Sequence, residues 1–233
     1  MRVLDLFCGA GCASDGYKRV GYDVYGVDFK RQRLYPYPFL QHDALAIPVE
    51  FLRLFDLIHA SPPCQGYTDM NAPGRKVDHP RLIAPTLDLL KRSGVPFVLE
   101  NVESKAARRE MDNPVTLCGS MFNLGSDGYQ LRRHRLFKTS FPIWIPECSH
   151  RSPVIGIYGD HVRCRAAAHG GRRTRDFEDH DKPALAHRAM RMKRKVTMHD
   201  LSEGIPPDYT CFIGAQFWDR QSNVPGRADM LAS

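Results

Sequence analysis

The junction between residues 2–7 and residues 8–11 limits the fold more than any other part of the chain. Residues 2–7 read Arg-Val-Leu-Asp-Leu-Phe, and they break at once into Cys-Gly-Ala-Gly. A short apolar run of that kind suits a buried strand, the glycines permit a sharp turn, and the spacing that follows predicts a helix to about Val20. The pattern then recurs. Tyr22 to Asp28 reads as a strand ending on an acid, and Phe55 to Ala60 as a strand stopped by Ser61, Pro62 and Pro63. Leu82 to Lys91 has helical spacing ending near Gly94, and Pro96 to Glu100 reads as another buried strand. Strands alternating with helices predict an α/β fold, Rossmann-like, with a mostly parallel sheet covered by helices. Ligands of such sheets sit beyond the carboxyl ends of the strands, which is where Cys8, Asp28, Cys64 and Glu100 would gather.

Pro146, Cys148, His150 and Pro153 mark a change of texture. This divides the chain into residues 1–145, a basic insertion over 146–195, an ordered return over 196–220 and a tail over 221–233. All of the formal net charge of +7 lies in residues 161–195, which hold eleven Lys/Arg against four Asp/Glu. Such a stretch suits a polyanion such as nucleic acid, although a solvated basic loop has the same composition. With 42% hydrophobic and 25% charged residues, the chain has a globular composition. It has no apolar run near the roughly 20 residues of a membrane helix. Its beginning lacks a leader pattern, and its seven cysteines are odd in number and scattered. Together these predict a cytoplasmic protein with reduced thiols, away from membranes.

Several groups carry candidate chemistry. The Gly9 and Gly11 turn allows close approach of backbone to a ligand, but Ser14 stands where a dinucleotide fingerprint needs its third glycine. Asp28 lies where a ribose-binding carboxylate would sit. Pro62 and Pro63 fix the backbone before Cys64, which presents a thiol rigidly at a strand end; that placement serves a nucleophile or a buried structural cysteine. Glu100 ends a strand as a potential acid if burial keeps it protonated, or as an ordinary exposed carboxylate. Arg133 and Arg135 would share one face of a strand, binding an anion or a carbonyl, or simply facing solvent. Cys148 and His150 could join Cys164 and His169 around zinc, but this spacing fits no common finger and no metal is expected.

Taken in order, Asp5 to Gly11, Pro62-Pro63-Cys64-Gln65, Glu100-Asn101-Val102 and Arg133-His134-Arg135 resemble the motifs of the cytosine-C5 DNA methyltransferase family, in a short, phage-type form. The resemblance implies S-adenosylmethionine as cofactor, held by Phe7, Gly9, Gly11, Asp28, Phe29, Asp43 and Pro63. It implies Cys64 as the nucleophile at cytosine C6, Glu100 at N3, and Arg135 with Arg133 at the O2 edge. The target base must leave the duplex to be reached. Gln65, Arg163, Arg165, Arg172, Arg173 and Arg175 would contact double-stranded DNA, and a monomer is expected. This sequence has Leu131 where the family has Gln, Cys12 where Gly is common, Asp28 for Glu and Phe29 for Trp. A compressed Gly204-Ile205-Pro206-Pro207 segment stands for the last motifs and is expected to close the cofactor pocket; a Pro-Pro turn capping a terminal helix is the alternative. The same chemistry on tRNA, or an inactive nucleic-acid-binding relative, are the alternative functions; a nicotinamide-dependent oxidoreductase leaves the Cys64 motif unexplained.

Overall fold

The computed structural model describes residues 1–67, 79–151, 153–165, 174–176 and 181–223, with residues 164–165 and 174–176 described by their backbone. In chain order the elements are β1 (Arg2–Leu6), α1 (Cys12–Val20), β2 (Asp23–Asp28), β3 (Phe39–Gln41), α2 (Val49–Leu52), β4 (Leu57–Ala60), α3 (Ile83–Ser93), β5 (Phe97–Val102), α4 (Lys105–Met111) and β6 (Val115–Leu117). Then follow β7 (Gly125–Ser126), β8 (Tyr129–Leu131), β9 (Arg135–Thr139), β10 (Val154–Tyr158), β11 (His161–Arg165), β12 (Thr174–Asp176), α5 (Lys182–Ala189), α6 (Met198–Glu203) and α7 (Pro207–Ser222).

A seven-stranded sheet runs in the order β3-β2-β1-β4-β5-β9-β6. Its first five strands are parallel, and β9 pairs antiparallel with both β5 and β6. The chain leaves β1 toward β2 on one side and later returns to β4 on the other. The gap beyond the carboxyl ends of β1 and β4 is therefore the topological switch point, where such sheets bind ligands.

Alternation along β1 explains the two covered faces. Val3 joins a core containing Tyr17, Tyr22, Tyr209 and Ile213, whereas Leu4 and Leu6 join one containing Ile58, Leu90, Leu99 and Met111. Each of these apolar side chains contributes about 1.5–3 kcal/mol by leaving water. α7 closes the first face by lying against α1. Thr210 Oγ1 donates to Ala13 O at 2.7 Å, and Tyr22 Oη donates to Gly214 O at 2.9 Å. Gly16 makes this crossing possible: a Cβ there would lie 2.1 Å from Pro207 O and 2.7 Å from Cys211 N. α7 runs to Ser222, two residues into the tail expected from residue 221.

A second sheet has the order β12-β11-β10-β8-β7. β8 pairs parallel with β10 through Gln130↔Val154 and Leu131↔Ile155, so hydrogen bonds cross position 146. Among the described residues, no helix is long and apolar enough to span a membrane.

Candidate active site

The switch point opens into a cavity of about 470 Å³. Phe7, Gly9, Asp28, Phe29, Pro63, Cys64, Gln65, Glu100 and Arg135 all contribute to its lining. The tight turn after β1 forms one wall. Phe7 adopts φ 60° and Gly9 φ 49°, left-handed backbone that costs a non-glycine residue energy and is stored preferentially at working sites. A Cβ placed on Gly9 would meet nothing within 4 Å, so the cavity reaches the bare backbone there. Asp28 ends β2 in the neighbouring position. Its Oδ2 accepts from Gly9 N at 3.1 Å and its Oδ1 from Lys30 N at 2.9 Å, which fixes the carboxylate's orientation.

Cys64 follows β4 on the Ser61-Pro62-Pro63 turn. Asn101, buried at the end of β5, donates its Nδ2 to Pro62 O at 2.9 Å and ties that turn to the next strand. Tyr67 N donates to Cys64 O at 2.9 Å, which starts a one-turn helix from Gln65. Burial pushes the Cys64 thiol up, Arg135 opposes this, and Glu100 adds to it. The resting sulfur is therefore a thiol, with one cation placed to favour its thiolate.

Glu100 is buried, and burial is the main cause that raises its pKa. Arg135, the first residue of β9, brings its Nε to 3.2 Å from Glu100 Oε1 and lowers that rise, as does a hydrogen bond from Ser61. The contact to Arg135 is an ion-pair contact without hydrogen-bond geometry, since Oε1 makes no hydrogen bond. Behind Ser61 lies His59 of β4, fully buried and held neutral, with its pKa lowered to about 3 by burial. Its Nε2 is 2.9 Å from Ser61 Oγ and its Nδ1 3.0 Å from Tyr17 Oη. Ser61 and Asn101 stand in stretches the sequence singles out, but nothing in the sequence marks their roles here, and His59 inside β4 carries no signal at all.

Two predicted cofactor residues and one predicted arginine lie elsewhere. Asp43 Oδ1 accepts from Leu45 N at 3.0 Å, capping a short turn outside the cavity lining. Gly11 begins α1 behind the wall, with the Tyr35 ring 2.9 Å from where a Cβ would be. Arg133 precedes β9 with φ 34°, so it does not share a strand face with Arg135. It donates Nη1 to Ile157 O at 2.6 Å, Nη2 to Ser202 O at 2.5 Å and Nε to Gly204 O at 3.0 Å. This brings Gly204 and Ile205 to the cavity, along with His199, Asp200 and Glu203 of α6.

Three of the predicted nucleic-acid arginines lie on the second sheet. Arg163 is exposed on β11, and Arg165 and Arg175 lie on the paired strands β11 and β12. Arg172, Arg173 and His169 lie outside the described residues. Further along the basic stretch, three arginines pair internally. Arg188 meets Asp127 at 3.1 Å, Arg191 meets Asp208 at 2.9 Å, and Arg194 meets Asp15 at 3.2 Å.

No protein-family profile and no curated protein matches the chain. Solved structures do. A prophage-encoded protein of E. coli named a DNA modification methyltransferase superposes with a TM-score of 0.60 at 14% identity, over 94% of this chain and 99% of that one. The S. pombe Dnmt2 methyltransferase gives 0.57 at 14% identity, over 94% and 98%. The Entamoeba histolytica methyltransferase EhMeth gives 0.51 at 12% identity, over 94% and 97%. At these identities the likeness defines the fold alone: the chain shares a Rossmann-like α/β fold with these structures over 94% of its length.

Proposed function

We propose that the protein is an S-adenosylmethionine-dependent DNA (cytosine-5)-methyltransferase. The observation that carries this reading is convergence: the cysteine on its proline turn, the buried Glu100 and Arg135 all open into the cavity whose other wall is the Gly9 backbone and Asp28.

The cofactor side of the cavity fits the group. Gly9 leaves open space where a side chain would stand, and Asp28 presents a carboxylate already oriented by two backbone amides. Phe7, Asp28, Phe29 and Pro63 would hold the cofactor there. S-adenosylmethionine supplies an electrophilic methyl group on its sulfonium.

The chain's own residues then account for activating a poorly nucleophilic cytosine C5. Cys64 Sγ loses its proton and bonds to C6, breaking the C5–C6 π bond. Glu100, whose burial favours the protonated form, donates toward N3 and stabilises the electron density that this addition pushes into the ring. Arg135 faces both groups: it favours the thiolate and limits the rise in the Glu100 pKa. After C5 has taken the methyl group, a base such as a water molecule in the cavity takes the C5 proton, the freed electron pair restores the C5–C6 double bond, and Cys64 leaves as the thiolate. A single flipped base fits the size of the cavity better than a duplex does. Arg163, Arg165, Arg172, Arg173 and Arg175 would contact DNA phosphates, and Gln65 the base or its surroundings.

The test is incubation of the protein with methyl-labelled S-adenosylmethionine and either duplex DNA or tRNA, followed by trapping on 5-fluorocytosine DNA. Label in DNA, and a covalent adduct lost in Cys64→Ser, are the expected results. Label confined to tRNA would refute the DNA assignment, and an adduct that survives Cys64→Ser would refute the nucleophile.

A further inference from the structure

Away from the cavity, four potential soft ligands converge from three separate segments. Cys118 follows β6, His134 lies between Arg133 and Arg135 ahead of β9, and Cys148 and His150 lie in the segment leading to β10. Their donor atoms all lie within 4.8 Å of one another. Cys148 Sγ is 2.8 Å from His150 Nε2 and 3.5 Å from His134 Nε2, and Cys118 Sγ is 3.5 Å from His150 Nε2. A tetrahedral zinc ion with ordinary Zn–S and Zn–N bonds sets its ligand atoms about 3.3–3.8 Å apart; the two 3.5 Å separations meet that spacing, and the 2.8 Å pair would open by under 1 Å.

From these contacts we infer that Cys118, His134, Cys148 and His150 form a structural zinc site. The surrounding groups orient the ligands as a metal requires. Glu103 Oε2 lies 2.9 Å from His134 Nδ1, so that nitrogen carries the proton and Nε2 turns its lone pair to the cluster. Ser120 Oγ donates to Cys118 Sγ at 3.1 Å and lies 3.5 Å from Cys148 Sγ, while Ser149 N donates to Ser120 Oγ at 3.2 Å. One hydroxyl thus sits between both sulfurs, an arrangement that suits thiolates sharing an ion. Two thiolates and two imidazoles select zinc over hard cations, and four protein ligands leave no open position for catalysis.

The ligands join the end of the seven-stranded sheet to the start of the segment that enters the second sheet. His134 is also the residue between Arg133, which is bonded to four carbonyls, and the cavity-lining Arg135, so the ion would hold the short stretch that places both. The sequence expectation of no metal considered Cys148 and His150 with Cys164 and His169. The structure instead joins the first two to Cys118 and His134, which lie 30 and 14 residues before Cys148.

The experiment uses the full chain purified without chelators. Elemental analysis should find about one zinc per chain, released when the thiols are blocked by a mercurial. Metal-free protein given Co²⁺ should show tetrahedral ligand-field bands with thiolate-to-metal charge transfer, and zinc should displace them. Cys118→Ser and Cys148→Ser should each lose the stoichiometric zinc, while Cys211→Ser should keep it. Because a ligand variant could fail to fold, the cobalt spectrum and the loss of thermal stability on chelation are read on the unaltered chain. Protein that carries no zinc and, once reduced, gives no thiolate–cobalt band would overturn the site. So would full zinc retention in both cysteine variants, or a Cys118–Cys148 disulfide in protein purified from reducing cytosol.

Discussion

Replacing Arg133 by methionine separates a structural role from a chemical one. Arg133 is about 1% exposed, and the hydrogen-bond partners of its guanidinium among the described residues are the carbonyls of Ile157, Leu201, Ser202 and Gly204. Burial lowers its pKa to about 10, so it remains charged at neutral pH. That shift, to which repulsion from Arg135 adds, corresponds to about 3 kcal/mol against the charged form. Hydrogen bonds from a charged donor contribute about 1.5–3 kcal/mol each, so four acceptors outweigh the loss. In the methionine variant the Ser202 and Gly204 carbonyls, half-buried, regain water. Those of Ile157 and Leu201, in buried residues, lose their partner at about 1–3 kcal/mol each. Two such carbonyls give an expected destabilisation of about 2–6 kcal/mol. For a chain of this size that lowers Tm by roughly 10 °C. Urea and thermal unfolding followed by circular dichroism measure it. Arg133→Lys should lose most of the same stability, because one ammonium cannot span four carbonyls. A methionine variant within about 1 kcal/mol of the parent would refute the strut. If that variant also lost kcat, Arg133 would instead act at the cavity.

Three other outcomes follow from the site. Asp5 is fully buried, and burial raises its carboxyl from 3.8 to about 7. Between these values the folded chain binds the extra proton, so stability falls as pH rises through that window; Asp5→Asn should remove this fall, gaining up to about 4 kcal/mol at pH 8 in urea titrations. A parental stability that stays level across the window would contradict it. Gly9→Ala places a methyl in the open space and strains a backbone at φ 49°, at a cost of roughly 1–2 kcal/mol; KM for S-adenosylmethionine should rise about tenfold or more with kcat less affected, and an unchanged KM would remove Gly9 from the cofactor wall. Glu100→Gln should cost about 100-fold or more in kcat and abolish the alkaline decline caused by losing a proton from the buried carboxyl, whereas a variant that keeps the decline shows another group titrating.

Features decided within a few residues were legible in the sequence. A buried parallel strand that ends in a polar residue delivers it to the ligand edge, so Asp28, Cys64 and Glu100 could be placed from their strands and breakers alone. Arg133 could not. Two residues' separation implies a shared face only in extended backbone, and φ 34° turns it toward carbonyls 24 to 71 residues away. The same limit hid half of the cysteine–histidine cluster, since Cys148 and His150 are neighbours in sequence while Cys118 and His134 arrive through the pairing of β6 with β9.

Charge shows the limit most clearly. Counted along the chain, Arg188, Arg191 and Arg194 belong to the basic stretch that a nucleic acid would neutralise. In the fold they meet Asp127, Asp208 and Asp15, acids from segments that are neutral in sum. Arg194 also donates to Ala10 O at the cavity wall and to Leu34 O, so it braces the turn after β1. A positive run therefore contains two populations, and only tertiary pairing sorts them. Arg188 of α5 and Arg191 and Arg194 of the loop after it fasten that region to the β7–β8 turn, α7 and α1 in turn, so these three charges are matched inside the fold before any polyanion arrives.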